Sequence, residues 1–125
     1  MKQAKDELDM ASYLLRGGYY KGSCYHAQQS MEKSIKACLL AKGWELEKIH
    51  NVERLLSIAG DFGISINVSE DDAIFIDSIY RGRYPAEAGL LPLGEPSDSD
   101  AKRALCIADN TYNSIQTIIQ LTKGG

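Results

Sequence analysis

The chain has 125 residues, enough to bury one hydrophobic core and too few for two, so a single domain over 1–125 is expected. Hydrophobic residues make 44% and charged residues 25% of it, which excludes disordered and fibrous classes. A net charge of −3 with a pI near 5.3 supplies no global field to attract nucleic acid, so any nucleotide or RNA contact has to come from a local basic cluster.

Helical periodicity dominates. Ala4, Leu8, Ala11 and Leu15 step by four, three and four, predicting a first helix that Gly17-Gly18 ends. A second helix follows almost at once and runs to Gly43; so short a connection makes the two antiparallel neighbours. Val52, Leu55, Leu56, Ala59 and Phe62 mark the inner face of a short third helix, closed by Gly60 or Gly63. Ile64-Ser65-Ile66-Asn67-Val68 alternates like a strand, but without a second strand its backbone groups would go unpaired, so an extended connector is expected. Ser69, with Glu70, Asp71 and Asp72, supplies an N-cap and acidic first turn for a fourth helix with Ala73, Ile76, Ile79 and Tyr80 inward.

Between Arg81 and Asp100 lie Pro85, Pro92 and Pro96 with Gly82, Gly89 and Gly94, which excludes helix through most of the stretch. A loop of that length is either functional or a loose crossover. Ser97 or Asp98 then caps a last helix whose inner face is Ala101, Ala104, Leu105, Ala108, Tyr112, Ile115 and Ile119. The expected fold is all-α: an antiparallel up-and-down bundle of four to five helices, without a sheet. Tyr13, Ile107, Ile118 and Leu121 add apolar surface beyond what one such core buries, and a two-fold dimer is the expected cover.

Two clusters carry chemistry. On the second helix, at about 100° per residue, Tyr20, Cys24, Ala27, Met31, Ser34, Ile35 and Cys38 form an apolar stripe. Opposite it, His26, Gln29, Lys33 and Lys36 stack in a column roughly 80° wide that has the donors to hold an anion, although any amphipathic surface helix shows such a column. In Tyr80-Arg81-Gly82-Arg83-Tyr84-Pro85, Arg81 and Arg83 flank a glycine; their forks match phosphate or carboxylate oxygens, and they equally suit the negative end of a helix dipole.

The three cysteines, Cys24, Cys38 and Cys106, make neither a CxxC pair nor a secreted framework, and no cleavable apolar segment opens the chain. The longest apolar run, Ala37 to Ala41, is far short of the ~20 residues that cross a bilayer. A cytoplasmic location is expected. Cys24 and His26 lack further ligands at paired spacing, so no metal or cofactor is expected.

The second helix, with Tyr25-His26, Gln29, Glu32-Lys33 and Lys36 in order, resembles the signature helix of the HEPN family (higher-eukaryote and prokaryote nucleotide-binding domains). Tyr80 before Arg83-Tyr84-Pro85 is similar to that family's aromatic-rich helix ending in Arg-Tyr-Pro, and His50 before Val52-x-x-Leu55-Leu56 to its His-plus-leucines helix. The resemblance spans about residues 4 to 120. It implies an all-α bundle, often a homodimer, related to the C-terminal domain of aminoglycoside nucleotidyltransferases and often accompanied by a separate small nucleotidyltransferase.

The expected function is a nucleotide-binding or partner-docking module, with His26, Gln29, Lys33, Lys36, Arg81, Arg83 and Tyr84 as ligand-binding residues and no catalytic residue. The alternative is a toxin-type ribonuclease with a divergent site. Ribonuclease members carry an Arg followed, after four to six residues, by His; here Arg103 is followed by Ala-Leu-Cys-Ile-Ala-Asp, and without a paired imidazole nothing near neutral pKa stands ready to deprotonate a 2′-hydroxyl. Gly22-Ser23 and Asp98-x-Asp100 look like fragments of a nucleotidyltransferase signature but are far too widely separated, and capping accounts for Asp98.

Overall fold

The computed structural model describes residues 1–80, 83–86, 89–92 and 96–124. Its elements are α1 (Lys2–Arg16), α2 (Tyr20–Ala41), α3 (Val52–Asp61), α4 (Glu70–Tyr80), β1 (Arg83–Ala86), β2 (Gly89–Pro92) and α5 (Asp98–Gly124). The fold is the expected all-α bundle. Helix α2 is its centre, packed most extensively against α1 and α5 and also touching α3 and α4.

That centrality explains α2's composition. Met31, Ile35 and Leu39 are fully buried, each contributing about 1.5–3 kcal/mol of apolar burial. On the flank facing α1, large side chains give way to serine: Ser23 Oγ donates to the Ala11 carbonyl and Ser30 Oγ to the Ala4 carbonyl, both at 2.8 Å. Both serines are wholly buried. The α1 carbonyls take these two hydroxyl hydrogens, whereas Ser34 Oγ, also of α2, is buried without a hydrogen-bond partner among the described residues.

The hairpin between α1 and α2 is set by Gly18, at φ +81°. The Tyr19 amide reaches back to the Leu14 carbonyl and Gly18 to Leu15, the closure that a left-handed residue permits and that glycine adopts without strain. Gly43, at φ +95°, ends α2 in the same way, with Trp44 bonded to Leu39 and its side chain buried.

Asn51 accepts from the Arg54 amide at the start of α3. Asp77 of α4, buried, accepts from the Val52 and Glu53 amides at 2.8 and 3.0 Å, placing a carboxylate on the positive end of α3. Gly60 lies inside α3 and Gly63 makes the turn after it. Phe62, expected on the inner face, caps the helix and is exposed, while Ile58 fills that face. The connector from Ile64 to Val68 turns Ile64, Ile66 and Val68 toward the core and leaves Ser65 and Asn67 exposed.

Ser69 caps α4 through the Asp72 amide. Ser97, rather than Asp98, caps α5 in a reciprocal box with Asp100. Arg103 lays its guanidinium 3.9 Å from the centre of the Phe75 ring and bonds Asp72 at 3.1 Å, tying α5 to α4.

Two expectations need correction. The proline-rich stretch after α4 is not sheet-free: β1 and β2 pair as an antiparallel ribbon in the register Arg83 with Pro92 and Ala86 with Gly89. Both strands of a two-stranded ribbon are edges, where a proline's missing donor is tolerated. Ile107, expected as surplus surface, is buried in the core beside Asn67 and Val68 of the connector. Ile118 is half-buried against that core, and only Tyr13 and Leu121 stay well exposed.

Candidate functional site

The polar column of α2 lies where α1 and the segment after α2 approach it. His26 Nδ1 is 2.6 Å from Glu7 Oε2, and Lys33 Nζ is 2.7 Å from Glu7 Oε1, so one carboxylate of α1 holds two residues of the column. Burial acts to raise the Glu7 pKa, but hydrogen bonds and charge from Lys33 and His26 outweigh it and hold the carboxyl below its ordinary range. An ionised carboxylate only accepts, so His26 Nδ1 is the donor of this bond. The Tyr25 ring meets the imidazole edge-on, centroids 5.0 Å apart.

A second carboxylate repeats the pattern. Glu32, itself buried, takes Lys36 Nζ at 2.9 Å and His50 Nδ1 at 2.8 Å on one oxygen. Gln28 Nε2 donates to the His50 carbonyl at 2.8 Å, and Gln29 Nε2 donates to Gln28 Oε1 at 2.8 Å. The 42–51 segment, without regular structure, is thereby fastened to α2 through His50.

The structure thus brings together four of the expected residues, His26, Gln29, Lys33 and Lys36, and adds Glu7, Gln28, Glu32 and His50 as the groups that hold them. The column is not the free cationic surface its spacing suggests, because both lysines are matched by carboxylates within 3 Å. Arg81 lies outside the described residues; Arg83 and Tyr84 are placed in β1 by their backbone, and their side chains lie outside the described residues. The one signal in the sequence for the missing partners was Glu32, four residues before Lys36 on the same helix. Glu7 and His50 reach α2 only through the fold.

Lys33 and Lys36 also edge a groove of about 410 Å³ lined by Met1, Lys2, Gln3 and Ala4 of the N-terminal end, Ala37 and Leu40 of α2, and Leu46. Leu40 and Leu46 are 47% and 66% exposed. The thiols offer no alternative chemistry inside the bundle: burial, with a smaller contribution from Asp100, pushes Cys24 up to about 12, and burial raises Cys38. Among the described residues no group of His, Cys, Asp and Glu is placed to hold a metal, and no helix is long and apolar enough to cross a membrane.

A helical bundle built around one central helix, with an ordered polar column along that helix, defines the class of small all-α domains to which residues 1–118 match as an HEPN domain. The chain belongs to the HEPN domain family. The crystal structure of TT1696 from Thermus thermophilus superposes with a TM-score of 0.72 at 29% identity, over 93% of this chain and 92% of that one. A protein of Methanocaldococcus jannaschii named "Putative toxin MJ1304" is 42% identical over 43 residues, which are 34% of this chain and 28% of the relative's own length.

Proposed function

We propose that the chain is a non-catalytic HEPN module that docks a partner protein, the partner being a separate small nucleotidyltransferase. The observation that carries this reading is the pairing of the column: Lys33 and Lys36 already have Glu7 and Glu32, while the groove beside them ends in exposed Leu40 and Leu46. A nucleotide phosphate arriving at the lysines would displace a carboxylate and leave it short of a partner, at a cost of about 1–3 kcal/mol. A protein segment laid over the leucines leaves both ion pairs in place and gains about 25 cal/mol for each Å² of apolar surface it covers.

The toxin in the name of the M. jannaschii relative supports placing the module in a two-protein toxin–antitoxin type of system. The family resemblance favours a homodimer, and the three unpaired cysteines favour a reducing cytoplasm. Nucleotide binding through His26, Gln29, Lys33 and Lys36, with Arg81, Arg83 and Tyr84, is the second mode the family resemblance favours.

Co-expression with a separate small nucleotidyltransferase, followed by gel filtration, tests the reading. Co-elution is expected, and Leu40→Glu with Leu46→Glu should abolish it without changing the helical circular dichroism. ATP binding tighter than about 1 mM, near −4 kcal/mol, lost in Lys33→Ala, would favour the nucleotide mode instead. RNA cleavage lost in His26→Ala or His50→Ala would make the divergent ribonuclease the correct function.

A further inference from the structure

We propose that the outer face of α1 is an interface with a second copy of this chain, the two α1 helices packing antiparallel with their two-fold axis at the level of residue 11. The inference deepens the homodimer reading above and rests on it. Helix α1 packs on α2 and α5 and buries Ala4, Leu8 and Ala11. At about 100° per residue, Asp6, Met10 and Tyr13 stand on the side of the helix opposite that buried line. All three are exposed, Met10 by 46% and Tyr13 by 66%. With Asp9 and Arg16 they line an open hollow of about 590 Å³.

The charges of this face say what covers it. Asp9 already pairs with Lys5 at 3.1 Å. Among the described residues Asp6 has no ion-pair partner, and Arg16 bonds only the Ser12 hydroxyl, at 3.0 Å. One acid and one base are left over on one helix, centred on position 11, and the apolar pair of Met10 and Tyr13 is centred between 11 and 12. The shared centre is what a two-fold axis needs.

An axis at that level sets Asp6 opposite the partner subunit's Arg16, and Arg16 opposite the partner subunit's Asp6, so both unpaired charges are matched twice. It also brings Met10 level with the partner subunit's Tyr13, a thioether against an aromatic ring. No like charges of this face meet across it, whereas a parallel pairing would set Asp6 on Asp6 and Arg16 on Arg16. Helices crossing at about 20° stay close over the three turns between these residues. A foreign protein would have to supply the complementary pattern; a second copy of the chain carries it.

Sedimentation equilibrium of the full chain over a micromolar concentration series reads the dimer dissociation constant. Arg16→Asp breaks both ion pairs and places carboxylates opposite Asp6, and it should raise that constant about tenfold or more. Adding Asp6→Arg restores the pairs in reversed order and should return the constant to within about threefold of wild type. Both positions are exposed on α1, and circular dichroism should show unchanged helix in each variant. Cross-linking reads the geometry independently. Met10→Cys in a Cys106→Ser chain leaves one accessible thiol, since Cys24 and Cys38 are buried; a short bismaleimide should join two copies through it, and should not do so through Asp61→Cys in the same background. A dimer whose constant stays put in Arg16→Asp, is not recovered by the added Asp6→Arg, or fails to cross-link at position 10 would overturn the α1 interface and leave the homodimer standing. A wild-type monomer throughout the series would overturn both.

Discussion

Glu7 and His26 stand nineteen residues apart in the chain and 2.6 Å apart in the fold. Their bond, with Lys33 on the other carboxylate oxygen, fastens α1 to α2 at the place where the helical pattern shows a solvent-facing column. The same contact decides whether the column is a docking edge or a free cationic strip, and it has measurable consequences.

Glu7→Gln should destabilise the fold by about 1–2 kcal/mol at neutral pH, the value of charge-assisted hydrogen bonds discounted for partly exposed partners. The pH dependence has a defined sign. The folded pKa of Glu7 lies below its ordinary 4.5, so its contribution is fully present above that value and is lost as pH falls through the lower, folded pKa. Urea melts of wild type and variant should differ by a constant amount above about pH 5.5 and converge in acid. A gap that widens on acidification would show that the carboxylate does not carry it.

Ser30 lies between α1 and α2, wholly buried, its hydroxyl on the Ala4 carbonyl. Ser30→Ala loses one hydrogen bond, about 1 kcal/mol. Ser30→Val also forces the helices apart and should cost about 1–3 kcal/mol more. Equal thermal midpoints for the two variants would mean that the contact is looser than its geometry.

Asp77 uses both carboxylate oxygens on the first amides of α3. Asp77→Ala leaves the buried Val52 amide and the partly buried Glu53 amide without their acceptor and should cost about 2–3 kcal/mol in chemical denaturation. Asp77→Asn should recover only part of this, since its NH₂ replaces one of the two acceptors.

Assembly separates Tyr13 and Leu121, which are exposed, from Ile107, which is buried. Sedimentation equilibrium at micromolar concentration should report twice the 13.8 kDa chain mass, and Tyr13→Glu with Leu121→Glu, both exposed positions, should shift it to monomer. Ile107→Glu should instead unfold the chain, because a charge buried beside the 64–68 connector has no partner and costs at least about 3 kcal/mol.

Cys106 is exposed, whereas Cys24 and Cys38 are buried with their thiols held protonated. A disulfide reagent at pH 8 should modify Cys106 alone in the native chain, with the other two reacting only in denaturant. Rapid native labelling of Cys24 would mean that the bundle opens locally around α2.

The sequence by itself determined the helices, their stops and the stripe of α2, because these depend on neighbours within one or two turns. Ala4, Leu8 and Ala11 are buried as their spacing requires, and Gly18 and Gly43 close helices where a left-handed residue is needed. It also carried the family, whose signature residues sit in order along one helix. Only the tertiary structure decided what those residues do. The spacing of Lys33 and Lys36 reports a shared face, but whether that face is bare or neutralised depends on Glu7, brought by α1, and on Glu32, whose burial follows from packing on several sides. Ser23, Ser30 and Gln28 are fully buried for the same reason: in a helix surrounded by others, a polar residue is inside wherever a neighbour supplies its hydrogen-bond partner, and no single-helix pattern contains that neighbour. The pairing of β1 with β2 and the burial of Ile107 were likewise out of reach, since each depends on a second segment whose approach is a property of the folded chain.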